Sequence, residues 1–469
     1  MAGFYDLNIA VSALQAQQYA MDVTGQNISN ADTTGYHDQT VVFTSATPLT
    51  GSIVGGGIGH PVLGTGVLVQ TVQRAQTDYL DSEVRNVNSE YNQYNSESTN
   101  LTQAQSLLQE PDTSTDGTGT GISTLLNNFW SSWQTLSTTP TNESSRVSVE
   151  ESGQSLASGI NTLYTNLTSL QSQTNTTIAT DASTINNDAK QIATLNSQIT
   201  TSIAGGYQPN DLIDQRNQLL QDMSNVTNVT VYGTGGSDMI VSIGGKALVQ
   251  GNQVNPVEVT QDANGNAQVS WSDDGSAVNI TSGEIKGLMN VRDTTIPGYL
   301  STLNSIASSI ITQVNAVHST GTTMSGAKAG DFFTGTDASN IAVNPALVSD
   351  PSGVAAANDG STGGNSIATA IANIENTTNA NGQTIGDTYD TFVTQVGADV
   401  QETTDQANTY NSTLTQLNTQ SDSISGVSMD QEMSNMVKFQ QGYNAAARIF
   451  TTMNDMLDNL ITNVGVVTS

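Results

Sequence analysis

The sequence contains no cysteine and few basic residues. Without cysteine, neither a disulfide framework nor a thiolate metal site can form. Lys and Arg together number 11 against 42 Asp and Glu, which gives a formal net charge of -31 over 469 residues. Because a surface of this sign repels phosphate backbones and anionic lipids, we expect neither nucleic acid nor membrane as a partner.

The sequence also lacks the segments that direct a chain to a membrane or to the general secretory route. It has no run of about 18 apolar residues. Residues 1–6 have neither the basic region nor the continuous apolar core of a signal peptide. The abundance of Ser, Thr, Asn and Gln, with almost no Lys, nevertheless suits a protein outside the cell. We therefore expect export by a route without a cleaved signal.

Candidate catalytic and ligand-binding residues are scarce and scattered. The three histidines lack the spacing of a metal site, and they are His37, His60 and His318. The glycine-rich stretch 51–66 matches neither of the two phosphate-binding glycine patterns. We therefore expect no enzyme, no metal and no cofactor. An extracellular hydrolase stays open as an alternative, and it would need two carboxylates that converge in a cleft of residues 226–286.

Apolar residues recur at alternating steps of three and four at both ends of the chain, which is the spacing of a coiled-coil stripe. The N-terminal stripe is weak because Gln18 and Gly25 occupy two of its positions, whereas the C-terminal stripe is unbroken over about 42 Å. We predict an assembly seam made of Phe4, Leu7, Val11, Leu14, Met21 and Ile28 in one helix and of Met436, Phe439, Tyr443, Ala446, Phe450, Met453, Leu457, Leu460 and Val464 in the other.

Longer heptad-spaced runs lie between the two ends. They predict helices over residues 80–108, 160–199 and 393–424, with a shorter helix near 296–317. The runs lack the flanking Lys and Glu residues of a free-standing coiled coil, so we expect the helices to pack on one another as a bundle.

The apolar period changes to two between residues 226 and 286. Val257 and Val259 are expected to face Val269 and Trp271 across a type I′ turn at Asn264-Gly265. The fold class expected from these patterns is mainly α with an inserted β domain, that is, α+β.

The predicted elements are nested in the sequence, which indicates three domains. A terminal helical domain would comprise residues 1–40 plus 426–469. A long-helix bundle would comprise residues 41–225 plus 287–425, and 226–286 would form an inserted β-rich outer domain. Because a short, interrupted stripe is marginal as an isolated helix, we expect the terminal helices to be poorly ordered in the monomer and to pair on assembly.

A polar cluster follows the first helix. Asn30 and Asp32 are expected to stop the helix with their side-chain oxygens, and Gly35 to take the positive φ that turns the chain outward. Asn27 and Asn30 share a helix face, so their amides are equally suited to bond a neighbouring subunit. The two roles are compatible.

The cluster of Asn27, Asn30, Thr33, Gly35 and Tyr36 resembles the motif after the first helix of the bacterial flagellar rod, hook and hook-associated axial proteins. The stretches 66–85 and 425–461 resemble the same family. Residues 210–231 are similar to a signature of its hook-filament junction proteins, which hook and rod subunits lack. One departure is His37-Asp38, where the family commonly has a basic residue, so any salt link at that position is in doubt.

The resemblance implies a structural subunit that forms a ring at the distal end of the hook and joins the hook to the filament. The implied partners are further copies of the chain, the hook protein, the second hook-filament junction protein and an export chaperone that binds the C-terminal helix. It also implies an extracellular place in the flagellum, reached through the flagellar type III apparatus. Another axial subunit, either hook protein or second junction protein, is the alternative.

Overall fold

The structure is a computed structural model that describes residues 2–47, 64–110, 119–233, 236–361 and 363–464. His60 and residues 51–63 lie outside the described residues, as do the side chains of Phe4 and Val464. The helices are α1 (Ala2–Ser29), α2 (Asp78–Leu108), α3 (Ile122–Thr138), α4 (Glu143–Ala204), α5 (Asn210–Val226), α6 (Glu284–Asn290), α7 (Ile296–His318), α8 (Pro345–Ser349), α9 (Ser366–Ala372), α10 (Ile385–Ser425) and α11 (Met429–Val464). None of the described helices is long and apolar enough to cross a membrane.

The strands are short and pair antiparallel throughout. They are β1 (Gln39–Ser45), β2 (Val67–Arg74), β3 (Thr230–Tyr232), β4 (Ile240–Ile243), β5 (Lys246–Gln250), β6 (Gln253–Val254), β7 (Val257–Gln261), β8 (Ala267–Trp271), β9 (Phe333–Thr334) and β10 (Ala342–Val343). One sheet has the order β3-β4-β5-β6, and three two-stranded ribbons pair β1 with β2, β7 with β8 and β9 with β10. The predicted fold class, mainly α with an inserted β region, is confirmed.

The hairpin between β7 and β8 has the predicted strand register and a different turn. Val257 pairs with Trp271 and Val259 with Val269, as expected. The loop is longer than two residues, because Asp262 begins a turn in which its carbonyl accepts from the backbone N–H of Gly265 at 3.1 Å. A type I′ turn needs two residues with positive φ, and here Gly265 alone has one, at 82°. The type I′ prediction is therefore wrong.

A first hydrophobic core, called core one, holds the helical bundle together. It packs α3, the first half of α4, α7, α9 and the beginning of α10, together with the end of α2. Aromatic rings occupy its centre, with Trp133 and Phe332 at 5.4 Å between centroids and Phe129 and Phe333 at 5.5 Å. Beyond core one, α2 and α10 continue side by side, and the rings of Tyr94 and Tyr410 stack at 5.4 Å.

A second hydrophobic core, called core two, joins the β region to helices. The far half of α4 and the buried face of α5 pack against β4, β5, β7 and β8, and the start of α6 closes the core. Helix α4, which is 62 residues long, thus passes from core one into core two. The strands share their core with helical segments outside 226–286, and the division into three nested domains stays a prediction.

The terminal helices α1 and α11 lie side by side and antiparallel. Asn27 near the end of α1 bonds Glu432 near the start of α11, and Gly442 lies beside Gln17. The ribbon of β1 and β2 packs on this pair, where the ring of Phe439 meets that of Phe43 at 6.3 Å. Poor order of this pair in the isolated subunit stays a prediction.

Candidate functional site

The amide of Asn27 is the centre of a buried hydrogen-bond cluster. Its Nδ2 lies 2.7 Å from Asp38 Oδ1, 2.9 Å from the carbonyl of Gln39 and 2.9 Å from Glu432 Oε2, and donates to these acceptors. Its Oδ1 accepts from the hydroxyl of Tyr36 at 2.9 Å and from the backbone N–H of Gln39 at 3.2 Å. One side chain therefore ties α1, the loop after it, β1 and α11 together.

Asn30 bonds the last turn of α1 through its amide nitrogen and not, as predicted, through its side-chain oxygen. The Nδ2 of Asn30 donates to the carbonyl of Gln26 at 3.1 Å, and its Oδ1 accepts from the hydroxyl of Thr33 at 3.3 Å. Asn27 is only 1% exposed and both ends of its amide are engaged. The expected bond from Asn27 to a neighbouring subunit is therefore corrected to a bond within the subunit, because burial leaves the amide inaccessible.

Gly35 occupies a position that no other residue fits without strain. Its φ is +78°, in the left-handed region where a side chain is unfavourable. A Cβ at this position would lie 2.7 Å from Oε1 of Gln218 on α5. The loop consequently approaches α5 closely at the point where it turns.

The first turns of α5 hold the loop through Asp214. This carboxylate pairs with the guanidinium of Arg74 at the end of β2, and its Oδ1 lies 2.8 Å from Nδ1 of His37. The backbone N–H of His37 also donates to Asp214 Oδ2 at 3.3 Å. A basic group thus faces an acid at the position where the sequence departs from the family pattern, and Arg74 supplies the permanent charge.

The start of α5 also clamps α1 and both strands of the ribbon. Asp211 accepts from the side-chain amides of Gln26 at 2.9 Å and Gln39 at 3.0 Å. Asn210 donates to the side chain of Gln39 at 3.1 Å and to the carbonyl of Val72 at 3.2 Å. In the sequence, this stretch is recognisable only as a family signature. Its acids and amide at a helix start were the available signal for a docking role.

The acids of the cluster shift the pKa values of Tyr36 and Asp38. Burial raises the pKa of the Tyr36 hydroxyl, and the carboxylates of Asp211, Asp214, Asp38 and Glu432 raise it further, so the hydroxyl stays a donor. Burial, followed by the charge of Glu432, also raises the pKa of Asp38.

The predicted seam residues divide by exposure. Those that are half-buried are Leu7, Val11, Leu14, Met21, Ile28, Met436, Phe439, Tyr443, Phe450, Met453 and Leu457, whereas Leu460 is exposed and Ala446 is buried. The fully buried side chains of α1 lie beside the predicted stripe, and they are Ala10, Ala16, Ala20, Val23, Thr24 and Asn27. Two of these buried residues, Ala20 and Val23, pack with Val41 and Val72 of the β1–β2 ribbon, whereas the larger seam residues are only partly buried.

Helix α11 also carries apolar side chains that the described part of the chain leaves more than half exposed. They are between 52% and 67% exposed, and they are Met433, Val437, Ile449, Met456, Leu460 and Ile461. The register that places Glu432 beside Asn27 carries Leu460 and Ile461 beyond the start of α1. We call Ile449, Met456, Leu460 and Ile461 the open face of α11. An exposed apolar surface of this kind marks an interaction site.

The acids of the β region serve its turns. Asp273 and Asp274 bind the ammonium group of Lys246 at 2.6 and 2.9 Å. The carboxylate of Asp262 accepts from the backbone N–H groups of Asn264 and Asn266, both at 2.8 Å. Asp262 thus bonds residues of its own turn, whereas Asp273 and Asp274 share the ammonium group of Lys246 on β5. In the described part of the chain, no group of three or more His, Asp or Glu could hold a metal ion.

Three family models match the chain along its length. The model described as "Flagella basal body rod protein" matches residues 7–37, which contain the Asn27 cluster. The model "Flagellar hook-associated protein FlgK helical domain" matches residues 101–333. The model "Flagellar basal body rod FlgEFG protein C-terminal" matches residues 419–463, which contain most of α11.

Whole-chain comparison finds relatives named "Flagellar hook-associated protein 1". That of Bacillus subtilis (strain 168) is 29% identical, with 99% of each chain covered. That of Escherichia coli (strain K12) is 26% identical, with 97% of this chain and 99% of the relative covered. A solved structure, the flagellar hook junction protein FlgK from Burkholderia pseudomallei, aligns with a TM-score of 0.47 at 24% identity, over 54% of this chain and 46% of that one.

Proposed function

The chain belongs to the family of flagellar hook-associated protein 1, and on that premise we propose that it is a structural subunit that forms a ring at the distal end of the hook and joins hook to filament. The relatives cover both of its ends, and the three family models follow one another in chain order.

The open face of α11 is the observation that carries this proposal. Leu460 is 61% exposed and Ile461 is 67% exposed. Full burial of such a side chain contributes about 1.5 to 3 kcal/mol, so covering what remains exposed of these two would contribute about 2 to 4 kcal/mol. Neighbouring copies, the hook protein and the second junction protein are the partners we propose for this face and for the half-buried residues of the predicted seam.

The Asn27 cluster has a complementary role in the proposal. It fixes α11 to α1 through Glu432 and fixes the loop after α1 to α5 through Asp214. Because α5 shares core two with the β region, the cluster sets the direction in which the terminal helices leave the body of the subunit. When every subunit holds its terminal helices in the same direction, each presents its open face at the same angle around a ring.

We extend the proposal to the state before assembly. The terminal helices are poorly ordered in the exported monomer, they pair fully when neighbours cover them, and an export chaperone shields the open face until then. Export occurs through the flagellar type III apparatus. Hydrogen exchange on the isolated subunit tests the first statement, and strong protection of residues 4–28 would contradict it.

A different axial subunit, hook protein or second junction protein, is the runner-up. The match of residues 101–333 to the helical domain of the hook-associated protein argues against both. Antibody labelling of detached flagella separates a junction subunit from a subunit that extends along the flagellum. We expect one spot at the hook end, whereas label along the whole length would overturn the proposal.

The variant Leu460→Asp tests the open face in a strain that lacks its own copy of the protein. Because Leu460 is already exposed, the subunit should keep its circular dichroism spectrum while the spot at the hook end and swimming are lost. Thr451→Asp, on the polar side of the same helix, is the matched control and should assemble normally. Normal assembly of Leu460→Asp would refute the role of this face.

A further inference from the structure

A layer of buried polar residues separates core one from core two. On α4, Leu170 belongs to core one and Ile178 to core two. Between them lies Thr174, which is 1% exposed and whose hydroxyl donates to the carbonyl of Gln171 at 2.7 Å. The long helix therefore crosses the boundary through polar side chains, although its apolar stripe is otherwise continuous on both sides.

The second helix that crosses this boundary is wound differently there. A π-helical turn, Val291–Thr295, connects α6 to α7 without a break. The N–H of Ile296 bonds the carbonyl of Val291, five residues earlier. A π turn holds one extra residue and leaves a carbonyl without its usual helical partner. Gln171 of α4 meets this need, because its Nε2 donates to the carbonyl of Arg292 at 2.8 Å.

Arg292 connects the π turn to the β region through polar contacts. Its side chain is 2% exposed and donates to Asn175 Oδ1 at 3.1 Å, to the carbonyl of Ala267 and to both oxygens of Asp293 at 2.7 and 2.8 Å. The same Asn175 oxygen accepts from the N–H of Ala267 at 2.9 Å. The base of β8 is thus attached to the boundary by hydrogen bonds.

The polar layer continues onto α2. Asn290, the residue before the π turn, donates to Glu97 Oε1 at 2.6 Å, and Gln93 donates to the same oxygen at 3.1 Å. Glu97 is 8% exposed. The two elements that cross from one core to the other, and α2 beside them, therefore all carry polar side chains at the boundary.

We propose that this layer is a hinge, about which the part of the subunit built on core two tilts against the helical bundle. Closely packed apolar surfaces resist gradual displacement, whereas amide and guanidinium bonds at a boundary exchange readily with one another and with water. A π turn absorbs a change in helix direction by moving its extra residue along the helix. The proposal concerns the single subunit and does not depend on its place in the flagellum.

Spin labels test the hinge, because the chain has no cysteine of its own. Cysteines are introduced at the exposed Glu258 of β7 and Ser301 of α7, which lie on opposite sides of the layer. Ser301 paired with the exposed Ser131 of α3 is the control within the bundle. Pulsed electron–electron double resonance measures the distance between the two labels. The distribution of this distance should be about twofold wider for the Glu258–Ser301 pair than for the Ser131–Ser301 control pair.

Two variants test whether the width of the distance distribution depends on the polar layer. Gln171→Ala removes the donor to the π-turn carbonyl and should widen the first distribution. Its control is Gln173→Ala, an exposed residue on the same helix that should change nothing. Deletion of Thr294 removes the extra residue and should narrow the distribution. If that variant does not fold, the other comparisons still decide. Equal widths for both label pairs, unchanged by Gln171→Ala, would overturn the proposal.

Discussion

Replacing Asp181 with asparagine should stabilise the subunit at neutral pH. Asp181 lies on the buried face of α4, is 8% exposed, and its Oδ2 has no hydrogen-bond partner. Burial, and then the charge of Glu284, raises the pKa of this carboxyl from 3.8 to about 7. The folded subunit therefore keeps a proton that the unfolded chain releases well below neutral pH.

The sign and size of the effect follow from this difference in pKa. Below pH 3.8 the group is protonated in both states and costs nothing. As the pH rises towards 7 the unfolded chain gains free energy by ionising, so folding stability falls over this range. The full shift corresponds to about 4 kcal/mol at pH 7 and less than half of that at pH 5. Solvent near the site reduces the expected gain at pH 7 to about 2 to 4 kcal/mol.

Urea unfolding followed by tryptophan fluorescence measures this gain. Asp181→Asn keeps the shape of the side chain and removes the charge, so its stability relative to wild type should be larger at pH 7 than at pH 5. Ser183→Asn, at an exposed and uncharged position of α4, is the control and should show no such dependence on pH. A loss of stability at pH 7, or an equal gain at both pH values, would refute the reasoning.

Three further outcomes test the site and the core. Gly35→Ala should lower the free energy of unfolding by about 1 to 2 kcal/mol, because φ is +78° and the new methyl meets Gln218; an unchanged thermal midpoint would contradict this. Asn27→Ala should leave the hydroxyl of Tyr36 without its acceptor and cost about 1 to 3 kcal/mol locally once α1 is paired, seen in the assembled protein as faster hydrogen exchange in residues 24–40 against an unchanged α4. Burial lowers the pKa of His318 from 6.5 to about 4, so its ring resonances should not move between pH 8 and 5, and a midpoint near 6.5 would be incompatible with this burial.

Long helices could be predicted from the sequence because their buried face repeats along the chain. Ile178, Ile185, Ile192 and Ile199 recur every seven residues in α4 and are all at most 1% exposed. The apolar patterns did not predict helix α3, although this helix carries the aromatic centre of core one. Its apolar residues lie among Ser, Thr and Asn, and the ring of Phe332 that completes the cluster comes about 200 positions later in the chain.

The residues of the site could likewise be predicted only where the pattern is local in the sequence. Asn27 and Gly35 could be selected from a local motif, but Glu432 lies 405 positions from Asn27 and no local pattern links them. The seam prediction relied on the largest apolar residues at heptad spacing. The structure leaves most of those residues half-buried, and it buries smaller ones such as Ala20, which packs with Val41 and Val72 of the ribbon; the seam itself stays a prediction.

The few basic residues have mostly structural roles inside the subunit. Arg146, Arg216 and Arg292 are 4%, 2% and 2% exposed, and Arg74 is paired with Asp214. Arg146 donates to the carbonyls of Pro140 and Val354. Arginine suits such places because its planar group binds several acceptors at once and keeps its charge.

This use of arginine has a consequence for assembly. The exposed bases in the described part of the chain are Lys190, Lys328, Lys438 and Arg448. Copies that each carry a net charge of -31 repel one another, and so few exposed bases cannot offset the repulsion by pairing. Attraction between subunits must therefore come from apolar burial and neutral hydrogen bonds. The open face of α11 can supply the apolar part, and because salt screens the repulsion and leaves apolar burial in place, contacts between copies should strengthen as ionic strength rises.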